Sequence, residues 1–304
     1  MVAIVHHPDY VAAAPVQSRY QWNKNALVRD ALIQSGAAIE WHSPEVMPRE
    51  WLERGHDPDY VSEVIEARVP PSKERRIGFP VTPLIARRAQ LVPGGTWLAA
   101  LIALQEGFAA NTAGGSHHAL PDTGAGYCVF NDLAIAAIRL VEEGTVRKVL
   151  IIDCDVHQGD GTAVIATGRA DIATYSIHAE KNFPARKARS TLDVPLADGT
   201  GDDAYLDALL ATLVPMIDQF CPDLILYQAG VDPFFEDRLG RLSLTDMGLF
   251  RREQFVASLA IERGIPLATT LGGGYGDDVR AVAQRHVASI LTLAAAFDSA
   301  YVCR

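Results

Sequence analysis

The chain has 304 residues, 49% of them hydrophobic and 21% charged, a balance that builds a large α/β core and excludes a disordered chain. Its formal net charge is −10, and it lacks the basic surplus that a nucleic-acid binder carries. No apolar run reaches the ~18–20 residues of a membrane span, and "MVAIVHHPDY" lacks a basic region followed by an apolar one, so neither a spanning segment nor a secretory signal is expected.

In chain order, "VAIVHH" (2–7) reads as a buried strand and "NKNALVRDALIQSG" (23–36) as a helix closed by Gly36. From "HSPEVMPREW" (42–51) to "VPGGTW" (92–97), prolines and glycines interrupt every period, and elaborated loops are expected. This stretch holds a basic cluster, "SKERRIGFPVTPLIARR" (72–88), read as a solvated loop with a partner-binding patch as the alternative. Within it, "FPVTPLI" (79–85) is expected to pack internally rather than against another subunit. "LAIAAIRLV" (133–141) fits a core helix.

Strand and helix then alternate. Strands are expected at "RKVLIID" (147–153), "IATYSIH" (172–178), "DLILYQAG" (223–230) and "IPLATTLG" (265–272). Helices are expected at 201–220, 244–264 (ending at Gly264) and 277–297. The first places Leu206, Leu209, Leu210, Leu213, Ile217 and Phe220 on one stripe and contains Pro215, a point of kinking or splitting. The strands are continuously apolar, as strands covered on both faces are. The expected fold class is α/β: a single doubly wound, mostly parallel sheet flanked by helices, in one domain over 1–304, with the active site at the strand C-terminal ends. Cys128, Cys154, Cys221 and Cys303 form no CxxC pair or framework and read as reduced thiols of a cytoplasmic protein.

Those strand ends carry reactive side chains. "DCDVHQGDGT" (153–162) follows the apolar "KVLII", Ser176 and His178 end the next strand, "GVD" supplies Asp232, and "GGGY" supplies Tyr275. On an extended segment, Asp155 and His157 point the same way and can converge on one ion, with Asp232 as the natural third ligand. Two carboxylates and one imidazole suit Zn²⁺ and leave a coordination position for water. Singly, each residue has a plain alternative: Asp153 and Asp160 as cap and turn residues, "GGGY" as a tight loop, Asp232 before Pro233 as a turn starter. Their joint placement at strand ends favours chemistry.

"GGSHHALPDTGAGYCVFND" (114–132), "IDCDVHQGDGT" (152–162), "YSIH" (175–178), "YQAGVDP" (227–233) and "LGGGY" (271–275) together resemble the zinc-dependent histone deacetylase family, within the arginase–deacetylase fold. "HDPDYV" (56–61) also resembles a family segment. The resemblance implies zinc, one per chain, on Asp155, His157 and Asp232. It implies catalytic roles for His117 and His118, held by Asp153 and Asp160, and for Tyr275. Gly126, Tyr127 and Cys128 match the block lining the acyl-lysine channel, and Gly273 lies in the substrate-binding glycine run. Potassium is implied near Asp153, Asp155, His157, Ser176 and Ile177. Gln158 departs from the histidine that most members carry; with "RIGFP" and "PGGTWLAALIALQEGFAANTAGGSHHA" (93–119), it resembles the smaller class IV branch.

The implied activity is removal of an acetyl or related acyl group from a lysine-like amine by water. Partners are then an acyl-lysine peptide or protein, or an acylated small amine such as an acetylpolyamine, with no nucleic acid and no membrane. An acidic protein attracts cationic peptides or polyamines over long range. Oligomeric state stays open. Two other classes are an arginase-like ureohydrolase with two manganese ions, which needs further Asp and His ligands, and a non-catalytic acyl-lysine binding module.

Overall fold

Buried apolar strands feeding helices organise the chain. A computed structural model describes residues 1–11 and 20–302; Cys303 lies outside them. The strands are β1 (Val2–Val5), β2 (Ile39–His42), β3 (Phe108–Asn111), β4 (Val149–Asp153), β5 (Ile172–Ala179), β6 (Leu192–Leu196), β7 (Leu224–Gln228) and β8 (Leu267–Thr270). They form one eight-stranded sheet in the order β2-β1-β3-β8-β7-β4-β5-β6. Every pairing is parallel.

The helices are α1 (Lys24–Gln34), α2 (Arg49–Gly55), α3 (Pro58–Ile65), α4 (Pro71–Ile77), α5 (Pro83–Glu106), α6 (Asp132–Glu142), α7 (Asp160–Ile165), α8 (Asp202–Phe220), α9 (Asp246–Glu262) and α10 (Val279–Val302). Alternate strand residues serve the two faces. Leu150 and Ile152 of β4 join a core with α8, α9 and α10, while Val149 and Ile151 join one with α5 and α6. That double burial is why these strands read as unbroken apolar runs. No helix among the described residues is long and apolar enough to cross a membrane.

The first hundred residues are more regular than their prolines and glycines suggest. α5 runs through Pro93, Gly94 and Gly95. A Cβ on Gly94 would strike the Glu45 carbonyl oxygen, and one on Gly95 the Tyr10 hydroxyl and the Asn111 side chain. The glycines that weaken the helix locally let it lie flush against its neighbours. Phe79, Val81 and Ile85 are buried in a satellite core with Trp22, Tyr60 and Phe130, as expected of an internal segment. α8 also passes through Pro215 without splitting. Its buried stripe is Tyr205, Leu209, Leu213, Met216 and Ile217; Leu210, expected on that stripe, is 54% exposed.

The chain leaves β4 outward to β5 and β6, then returns to place β7 on the other side of β4 and continues to β8. The order therefore reverses between β4 and β7, where α/β sheets open a crevice beyond their C-terminal ends. Asp153 is in register with Gln228 of β7 and Ser176 of β5, and Gln228 with Thr270 of β8, so the loops after all four strands emerge side by side.

Candidate active site

The turn after β4 is bent rather than extended. Asp153 Oδ1 accepts from the Asp155 amide at 3.1 Å, and Asp155 Oδ1 from the His157 amide at 3.0 Å. Two successive side-chain-to-backbone turns, not a continuing strand, bring Asp155 and His157 together. Asp232 enters from the β7 loop, its Oδ1 accepting from the Val156 amide at 2.9 Å. The donor atoms of Asp155, His157 and Asp232 lie within 4.8 Å of one another, all buried, and theirs is the metal-compatible cluster among the described residues.

Among the described residues one acceptor of this cluster is left over. Asp232 Oδ2 is buried without a hydrogen-bond partner. His157 Nδ1 lies 2.9 Å from Asp155 Oδ1 and 3.2 Å from Asp232 Oδ2. Burial disfavours charge on His157, yet hydrogen bonds to the two carboxylates raise its pKa; burial and the Asp155 charge raise that of Asp232. Both directions express a shortage of positive charge that a divalent cation would make good. The donor set of two carboxylates and an imidazole fits such an ion.

The paired histidines stand beside this cluster. Asp132 accepts from the Gly115 amide at 3.2 Å, the Ser116 amide at 2.7 Å and the Thr96 hydroxyl at 2.6 Å, fixing the loop that carries them. His117 Nδ1 bonds Asp153 Oδ2 at 2.6 Å, His118 Nδ1 bonds Asp160 Oδ1 at 2.7 Å, and the two rings are 4.0 Å apart. A carboxylate only accepts, so each Nδ1 carries the proton. Burial opposes charge on His117, but Asp153 and Asp155 overcome it and raise its pKa to about 9. Burial also presses the Asp153 carboxyl upward; we place the shared proton on the imidazole. Burial and the His117 charge lower His118 to about 4, against the pull of Asp160. The two neighbours are thus pushed in opposite directions, His117 toward its charged form and His118 toward its neutral one.

The family model of the histone deacetylase domain matches residues 15–291. The chain belongs to the histone deacetylase domain family. An uncharacterized protein of Picosynechococcus sp. is 42% identical over 285 residues, 93% of this chain and 95% of that protein. The acetoin utilization protein AcuC of Staphylococcus aureus is 37% identical over 187 residues, 57% of this chain and 47% of AcuC, so the match spans about half of that relative. The crystal structure of an acetylpolyamine aminohydrolase from Burkholderia pseudomallei shares the fold, with a TM-score of 0.79 over 97% of this chain and 99% of that one, at 20% identity.

In this deacetylase domain a cavity of about 350 Å³ leads to His118 and His157 between Gly126, Tyr127, Phe183, Leu239 and Tyr275. Ala125 and Cys128 pair across a two-residue turn whose central residues, Gly126 and Tyr127, both have positive φ. A Cβ on Gly126 would meet the His118 ring at 2.6 Å. Tyr275 is anchored by its backbone: its amide donates to Asp237 Oδ2 at 2.6 Å and its carbonyl accepts from Arg238 Nε at 3.0 Å. Its ring lies 6.4 Å from that of His157 and 5.8 Å from that of Tyr127. Burial, then the Asp155 and Asp232 charges, push its phenol well above the usual range, so the hydroxyl stays a donor.

Asp153, Asp155, His157, Asp160, His117, His118, Asp232, Gly126, Tyr127 and Tyr275 thus meet at one place, while Ile177 lies in the core and Ser176 bonds His178. Gly273 lines a small pocket with Gly126, Tyr127, Cys128 and Tyr275, and its amide donates to Asp155 Oδ2 at 2.8 Å. Three supporting residues carried no signal of their own. Gln228 donates to Asp155 Oδ2 at 2.9 Å and accepts from the Gly230 amide at 2.9 Å. Arg252, buried and paired with Glu253, donates to the carbonyls of Cys154 at 3.1 Å and Gly230 at 2.8 Å, tying the loops that carry Asp155 and Asp232. Asp132 is the third; an Asn-Asp pair before an apolar helix signals a cap, which Asn131 supplies, but not its neighbour's grip on the histidine loop. Gln158 donates to the Ala188 carbonyl at 3.0 Å and Asp193 Oδ1 at 2.7 Å and accepts from the Ala188 amide at 2.8 Å. It pins the segment after Phe183 beside the site.

Proposed function

We propose that this domain is a zinc-dependent deacetylase that hydrolyses the amide of an acetylated, or related acylated, primary amine. The likenesses to AcuC and to an acetylpolyamine aminohydrolase support lysine and polyamine amides as the amine classes. The observation that carries the reading is the orphaned Asp232 Oδ2 inside a buried Asp–His–Asp cluster, beside two carboxylate-held histidines of which His118 reaches the cavity. Asp155, His157 and Asp232 would hold one zinc ion, which when bound supplies Lewis acidity and lowers the pKa of a bound water toward ~7.

The chain's own groups account for the proton movements. His118 has Nδ1 committed to Asp160, so Nε2 is the nitrogen that takes a proton from water as its oxygen attacks the amide carbon. The same proton then passes to the departing amine as the C–N bond breaks. His117, cationic and fixed by Asp153, stabilises the negative charge gathered there. The Tyr275 hydroxyl donates to the oxyanion developing on the former carbonyl oxygen. Gly126 and Tyr127 hold the stem of the amine in the channel.

Residues 1–304 act as one catalytic unit in this reading, placed in the cytoplasm on its cysteine spacing and in the class IV branch on Gln158. A potassium ion beside Asp153, Asp155, His157, Ser176 and Ile177 is supported by the resemblance and by the pairing of Asp153 with Ser176. The test is hydrolysis of a fluorogenic acetyl-lysine peptide and of an acetylpolyamine by zinc-loaded protein, with and without a chelator. Zinc-restorable turnover is expected. Absence of turnover in every zinc-loaded preparation would reject the hydrolase, and full zinc content in purified Asp232→Ala would reject the ligand set.

A further inference from the structure

The basic cluster at 72–88 has no role in the chemistry above, yet part of it faces the cavity. Arg75 and Arg76, exposed in the last turn of α4, line the 350 Å³ cavity that reaches His118 and His157. Arg76 also lines an adjoining cavity of about 620 Å³ with Arg186 and Lys187, and Phe183 is common to both. The carboxylate among these lining residues is Asp160, already engaged by His118. Arg75, Arg76 and Arg186 have no ion-pair partner among the described residues. Lys187 is different: its Nζ donates to the Asn182 and Pro184 carbonyls and it lies near the Asp160, Asp193 and Glu180 carboxylates, so the free positive charge of this wall is that of the arginines. The dipole of α4 accounts for basic residues at its C-terminus, but Arg186 belongs to no helix and carries the same sign.

We infer that the mouth of this site selects acyl-lysine carried in acidic polypeptide segments, with the unpaired arginines reading carboxylates on either side of the modified lysine. The inference rests on the deacetylase reading and sharpens its substrate class. Two adjoining cavities sharing Arg76 and Phe183 are too extended for a single short amine but suit a strand of residues flanking the reacting one. A planar guanidinium grips a carboxylate with two parallel hydrogen bonds, and these guanidinia have no internal acid to serve. A polyamine would bring like charge to the same wall.

The experiment uses zinc-loaded full chain and three N-acetyl-lysine peptides differing at the flanking residues, acidic, neutral or basic, with an acetylated diamine as a fourth substrate. At low salt, kcat/KM for the acidic peptide should exceed that for the basic peptide by about tenfold, the gap narrowing at high salt. The double variant Arg76→Glu, Arg186→Glu should reverse that order. Peptide Kd is measured in parallel by fluorescence anisotropy on Tyr275→Phe and should show the same ranking. A basic peptide or acetylated diamine used as well as the acidic peptide, an order unmoved by the double variant, or no binding of any peptide would overturn the inference. Ranked binding with no turnover of any peptide by wild type would overturn the deacetylase reading and leave the charge preference standing.

Discussion

Gly273→Ala separates the architecture of the Asp155–His157–Asp232 cluster from its proposed chemistry. Gly273 φ lies outside the left-handed region, so alanine brings no backbone strain; it brings one methyl group. That methyl would strike Asp232 Oδ2 and stand 2.6 Å from Asp155 Oδ2. To reach the ordinary contact distance of 3.4 Å, the Asp155 oxygen must retreat by about 0.8 Å, beyond the roughly 0.5 Å tolerance of a preorganised site. The same oxygen is held by Gln228 and by the Gly273 amide itself, so it cannot retreat without loosening both bonds. Zinc affinity should fall by at least about 10–100-fold, the usual cost of disturbing the groups that orient ligands. The metal-free protein should lose about 1–3 kcal/mol, as overpacked interiors do. Competition against a chromophoric chelator measures the first and urea unfolding the second, with circular dichroism confirming the fold. A variant that binds zinc as tightly as wild type and unfolds at the same urea concentration would show that position 273 does not abut the two carboxylates.

Tyr275→Phe should keep zinc and folding while kcat falls by about 10²–10³, the usual loss for one oxyanion donor; near-native kcat would remove the phenol from the reaction. Gln228→Leu leaves Asp155 Oδ2 and the Gly230 amide each short of one partner, so zinc affinity should drop about 10–100-fold, and unchanged affinity would contradict the supporting role. His56 is buried and its pKa is lowered to about 4 by that burial, against bonds to the Leu120 and Pro121 backbone. Unfolded histidine titrates near 6.5, so the unfolded chain binds the extra proton first; stability is full above pH 6.5 and falls by up to about 3 kcal/mol as pH drops to 4. Urea midpoints at several pH values should show a shallower acid slope in His56→Gln, and an equal slope would exclude this histidine as a source.

What could be read in advance follows burial. β4, β5, β7 and β8 are covered by helices on both faces, so unbroken apolar runs announce them. The strands that escaped notice are short or lie at the sheet's edges. β2, "IEWH", exposes its middle residues, and β6, "LDVPL", carries Pro195, which an edge strand tolerates. β3, "FAAN", has four residues and no β-branched side chain. α5 was hidden by Pro93-Gly94-Gly95, whose local cost is offset by contacts with Tyr10, Glu45 and Asn111 that no short window reveals. The site divides in the same way. Asp155, His157 and Asp232 advertise themselves because carboxylates and imidazoles after buried strands are costly unless used. Gln228 and Arg252 do not, because they serve backbone atoms and a carboxylate as many as 98 residues away.

Charge is where composition misleads most. A net charge of −10 describes the whole surface and suggests attraction for cations. Screening confines an approaching peptide to the charges within about 8 Å at physiological salt. At the mouth the charges without an ion-pair partner among the described residues are Arg75, Arg76 and Arg186, while the carboxylates deeper in the site accept from histidines and backbone amides. The net charge and the unpaired groups at the mouth therefore have opposite signs. The first acts on encounter and weakens with salt, whereas the second acts where the flanking residues dock and decides which acyl-lysine stays long enough to be cleaved.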